Sequence, residues 1–84
     1  MARGRKPVED LTDRNRGVLH AIVELTRRKG YPPSLMELAQ HVGLHSAYAV
    51  QRHVDRLEGM GYISREPGQA RTIHVLRLPK RGEA

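Results

Sequence analysis

The chain has 84 residues, 38% of them hydrophobic, with a formal net charge of +6 and no cysteine. That length supports one domain with one small core, and the lack of cysteine excludes disulfide staples and thiolate metal sites, as in a reducing cytosol. No apolar run approaches the ~20 residues of a membrane-spanning helix. Pro7 and the pair Glu9-Asp10 fall where a secretory signal would place its apolar centre, so a cytoplasmic location is expected.

Residues 1–10 are rich in Gly, Pro and Arg and lack periodicity, which predicts a flexible basic arm. A first helix is predicted from Thr12 to Lys29. Thr12 suits the N-cap, and Asp13 complements the positive end of the helix dipole. Val18, Leu19, Ile22, Leu25 and Thr26 recur at three- and four-residue spacing as a buried stripe. Arg27, Arg28 and Lys29 suit the negative end, and Gly30 supplies a left-handed stop. Tyr31-Pro32-Pro33 then enforces an extended connection.

Ser34, with Glu37 three residues later, forms a capping box for a second helix with the stripe Leu35, Leu38, Ala39 and Val42. Gly43 breaks that helix where a positive φ is required, and Leu44 is expected to be buried between helices. Ser46 caps a third helix running to about Met60, with Val50, Val54 and Leu57 facing the core and Gly61 as the stop. Beyond it, Tyr62–Glu66 and Thr72–Leu76 have strand composition around the turn signal Pro67-Gly68-Gln69-Ala70. Residues 78–84 read as a polar tail. The expected fold, over residues 11–77, is mainly α with a C-terminal β-hairpin: a three-helix winged helix-turn-helix.

The basic excess, 15 Lys and Arg against 9 Asp and Glu, points to a polyanion, most often nucleic acid. At 100° per residue, an inward Val50/Val54/Leu57 stripe leaves Tyr48, Arg52 and Asp55 near the opposite side, flanked by Ala49 and Gln51. In helix-turn-helix proteins the start of the second helix meets base edges. Arg52 offers two donors to guanine, Gln51 a bidentate pairing with adenine, and Ala49 an apolar contact for a thymine methyl. Tyr48 suits a methyl or a phosphate, and Ser46 a phosphate at the helix start. Expected backbone contacts are Arg14 and Ser34, and on the wing Gly68, Gln69 and Arg71. Arg3, Arg5 and Lys6 of the arm suit either a narrow A·T-rich minor groove or, as a plain basic tail, nonspecific attraction to phosphate. Arg16, in the same first turn as Arg14, reads as a similar backbone contact or as a solvated charge.

Five histidines raise the question of a metal. His41 and His45 are four apart, but Gly43 breaks the helix between them and no carboxylate pair completes a tetrahedral set, so no metal site and no cofactor are expected. His53 is expected to border the core. No Ser/His/Asp or Ser/Lys set has catalytic spacing, and enzyme activity is not expected.

Leu11 to Leu76 resembles the N-terminal DNA-binding domain of the LexA repressors. The landmarks are Leu11-Thr12-x-Arg14, Gly30-Tyr31-Pro32-Pro33-Ser34, Glu37-Leu38-Ala39, Val42-Gly43-Leu44, Ser46, His53, Leu57-Glu58 and Gly61-Tyr62-Ile63. The resemblance implies a winged helix-turn-helix repressor that binds palindromic double-stranded DNA operators as a dimer. It places the base-contacting positions on Ser46, Tyr48, Ala49, Gln51 and Arg52. Tyr48, Gln51 and Arg52 differ from the best-known version, so the operator does not carry over. With the chain ending at Ala84, neither self-cleavage nor the family's usual dimerisation is expected. A single module buries only about 600–1,000 Å² on DNA. A homodimer, cooperative copies on neighbouring sites, or contact from the arm is therefore expected to supplement it. A nonspecific architectural DNA-binding protein and a winged-helix protein-interaction module are the alternatives.

Overall fold

A computed structural model describes residues 11–78 of the chain. The arm at 1–10, with Arg3, Arg5 and Lys6, lies outside the described residues, as does the tail beyond Leu78. The order is α1 (Asp13–Lys29), α2 (Leu35–Val42), α3 (Ala47–Gly59), β1 (Ile63–Ser64) and β2 (His74–Val75). All three helices begin on hydroxyl caps. Asn15 N–H donates to Thr12 at 3.0 Å, Glu37 N–H to Ser34 at 3.1 Å, and Ala49 N–H to Ser46 at 3.2 Å. Glu37 returns the bond to Ser34 N–H at 3.1 Å, completing the capping box. The α1 and α2 helices end on Gly30 and Gly43 at φ 84° and 82°, where a side chain would strain the backbone.

The helices enclose one core: Val18, Leu19, Ala21, Ile22 and Leu25 from α1, Leu38 and Ala39 from α2, and Val50, Val54 and Leu57 from α3. Tyr62, Ile63 and Ile73 from the hairpin close its open side. Thr26 and Leu44, expected inside, are half-buried instead; Leu44 packs against the edge of the core. The α3 helix stops one residue earlier than expected, at Gly59, with Met60 as its C-cap and Gly61 at φ 84°.

The hairpin is antiparallel, with Ile63 opposite Val75 and Ser64 opposite His74. Its strands are shorter than the five residues expected of each. Thr72 accounts for this. Its hydroxyl accepts from Glu66 N–H at 2.9 Å and donates to the Gln69 carbonyl at 3.1 Å. This knot satisfies the loop internally where a ladder would otherwise run. Arg77 closes the other end, stacking 4.0 Å from the Tyr62 ring centroid and donating to the Met60 carbonyl at 3.0 Å.

Candidate nucleic-acid interface

The α3 helix presents its outer face as a ridge between two walls. Val50, Val54 and Leu57 are fully buried, which fixes the rotation of the helix, and Tyr48 is 74% exposed on the outside. Arg52 is exposed; Ala49 and Gln51 are half-buried. Gln51 lines a groove shared with Pro33, Leu35, Gly68, Gln69 and Arg71, on the wing side. Ala49 and Arg52 line a second groove shared with Thr12, Asn15 and His53, on the α1 side. The fold thus brings Tyr48, Ala49, Gln51 and Arg52 together, with the wing residues on one flank and the start of α1, where Arg14 is exposed, on the other. Ser34 and Ser46 use their oxygens as caps; their hydroxyl protons are still donors.

Arg71 sits on the wing, as expected, but its exposed guanidinium turns back onto the start of α2. It binds Glu37 through two bonds of 2.9 and 2.8 Å, reaches toward the Pro32 carbonyl, and lies 5.0 Å from the Tyr31 ring centroid. Lys29 adds a longer ion pair to the same carboxylate at 3.7 Å. One carboxylate therefore joins the end of α1, the cap of α2 and the wing. Arg71 is also the single non-glycine residue with positive φ, 60°, among the described residues.

This latch has an observable signature. The bond from Arg71, and then the one from Ser34 N–H, hold the Glu37 carboxyl down at about 2, against an ordinary value of 4.5. A carboxylate lowered in the folded state contributes stability that is present above its ordinary value and is lost as pH falls through the folded value. In a carboxyl-carbon NMR titration Glu37 should therefore titrate near pH 2, and Arg71→Ala should move it up toward the ordinary range. A wild-type midpoint above about 4 would mean that the latch is open in solution.

Two further polar devices tie one element to another. Arg65, beside β1, bonds Glu58 at 3.1 Å and also pairs with Asp55. Its single positive charge offsets part of the negative charge that these two carboxylates place on the second half of α3. Asn15, 3% exposed, hydrogen-bonds His53 at 2.7 Å and ties α1 to α3. His53 does border the core. Its imidazole is shifted toward the neutral form by burial and then by the charges of Arg14 and Arg52. Among the described residues no group of three or more His, Asp or Glu is placed to hold a metal, and no helix is long and apolar enough to cross a membrane.

The sequence profile described as the LexA DNA binding domain matches residues 8–72. The chain is 45% identical over 69 residues to the LexA repressor of Bacillus mycoides, and the same figures hold for the LexA repressors of Bacillus thuringiensis and Bacillus anthracis. The match covers 82% of this chain and 34% of each relative, so the chain spans about a third of the length of the relatives it matches. The profile takes in all three helices and the turn of the hairpin, and the chain belongs to the LexA DNA-binding domain family.

Proposed function

We propose that this chain is a sequence-specific, double-stranded DNA-binding repressor of transcription, acting at the nucleoid in the cytoplasm. The observation that carries the reading is the α3 ridge. A fully buried stripe locks Tyr48 and Arg52 outward, between two flanks that suit phosphate backbone, in a chain of the LexA DNA-binding family. On this reading Ser46, Tyr48, Ala49, Gln51 and Arg52 meet the major groove. Arg14, Ser34, Gly68 and Gln69 follow the backbone on either side. Arg71 chiefly sets the wing; it reaches a phosphate only by leaving Glu37. Arg3, Arg5 and Lys6 extend the contact into the adjacent minor groove. Two copies on neighbouring half-sites supply the affinity that one module lacks.

Selection of binding sites from random duplex DNA tests this. The expected product is a defined motif bound about 10³-fold or more tightly than random sequence. Two half-sites about 34 Å apart would place two copies on one face of the duplex. A ratio near one would overturn sequence-specific repression in favour of nonspecific coating, for which the +6 charge would suffice.

A further inference from the structure

The groove between α1 and α3 holds chemistry that the base-reading face does not use. Ala49, Arg52, His53 and Arg56 form an i, i+3, i+4, i+7 ridge along it, and Thr12 and Asn15 face them from the start of α1. An amide oxygen only accepts, so the 2.7 Å contact to Asn15 Oδ1 puts the proton of the neutral imidazole on His53 Nδ1. Asn15 is buried and cannot turn away without leaving that proton unpaired. The ring is thereby fixed in tautomer and orientation. Its other pole, Nε2, has no hydrogen-bond partner among the described residues.

We propose that His53 Nε2 and Arg14 grip one DNA backbone phosphate across this groove, and that the phosphodiester brings a proton onto the imidazole as it binds. This rests on the DNA-binding reading above and goes beyond it, by assigning a phosphate site to a residue that the major-groove face leaves out and by coupling binding to pH.

The chemistry follows from the two protonation states. A neutral His53 presents the lone pair of Nε2, which repels a phosphate oxygen. The imidazolium presents an N–H there, and a charge-assisted bond to phosphate is among the stronger hydrogen bonds. In the free protein the charged groups around the ring are mostly cations. They are Arg14 on α1 and Arg52 and Arg56 on α3, whereas the one carboxylate of the groove, Asp55, is paired with Arg65. Burial and the fields of Arg14 and Arg52 lower the pKa of His53 below its ordinary 6.5. A phosphate reverses both influences, because it offsets the two guanidinium charges and accepts the new proton's bond. The pKa of His53 is therefore higher in the complex than in the free protein. By linkage, DNA affinity rises as pH falls from the bound value to the free value, and is flat outside that window.

The test is binding to the selected site at constant ionic strength between about pH 5 and pH 8, with proton uptake measured by calorimetry in buffers of different ionisation enthalpy. The expected result is uptake approaching one proton per bound domain, and a dissociation constant that tightens about tenfold for each unit by which the pKa rises. His53→Gln should abolish the dependence, and His45→Gln, beside the cap of α3, should leave it. NMR titration of the His53 ring in the wild type, free and bound, needs no substitution and should give the higher pKa in the complex. Equal values in the two states, or a dependence that survives in His53→Gln, would overturn the proton coupling while leaving sequence-specific binding intact. Absence of DNA binding at every pH would overturn the underlying reading and the coupling with it.

Discussion

Leu57→Ala should cost this domain about 2–5 kcal/mol, enough to remove much of its margin. Leu57 is fully buried on the inner face of α3, in the cluster that joins all three helices to Tyr62 and Ile63. Its carbonyl accepts from Tyr62 N–H at 3.0 Å, where the chain leaves the helix for the hairpin. Truncation leaves a cavity at the point where α3 and the hairpin share their packing, and a core of this size has few other contacts to close it. The check is urea unfolding followed by circular dichroism: the midpoint should fall sharply with little change in slope. Tyr48→Ala, nine residues earlier on the exposed face, should stay within about 0.5 kcal/mol of wild type. A loss below about 1 kcal/mol for Leu57→Ala would mean that α3 is not seated on this core, and the rotation that turns Tyr48 and Arg52 outward would lose its physical basis.

Those two residues also show why so much of the fold was legible. A cap acts over three residues and an apolar stripe over three or four, so Thr12, Ser34-Glu37, Ser46 and the Val50/Val54/Leu57 stripe carry their own addresses in the sequence. The devices that were not legible are polar pairs far apart along the chain. Asn15 and His53 are 38 residues apart, and Arg71 and Glu37 are 34 apart. No local rule assigns such partners; the packed helices do. Asn15 gave one hint, since it continues the stripe of Val18, Leu19 and Ile22 inward, and a polar residue on an apolar stripe must find a partner there. Arg71, a cation beside a turn, reads as a phosphate contact; that the capping carboxylate of Glu37 lies within its reach is visible only in the fold. The strands were overestimated for a related reason, because composition cannot show that Thr72 closes the loop through its own hydroxyl.

Arg52→Ala should relax the preference at one base pair and weaken binding to the selected site by about 1–3 kcal/mol, leaving other positions unchanged. Arg52 is exposed on α3, one turn beyond Tyr48, and no hydrogen bond or ion pair ties it to another residue among the described ones. That contrasts with Arg65 and Arg71, whose guanidinium groups are held by carboxylates. An exposed cation without such a tie can place both donors of its fork on one guanine. Arg14, exposed at the start of α1, provides the comparison. Arg14→Ala should weaken every sequence alike and reduce the dependence of log affinity on log salt by about one, the signature of a phosphate contact. The two substitutions remove the same charge, so net electrostatics alone predicts the same result for both. Divergence in specificity would separate reading from steering. If Arg52→Ala instead lowered affinity uniformly and reduced the salt dependence as Arg14→Ala does, both would be backbone contacts, and the reading of bases would fall to Tyr48, Ala49 and Gln51.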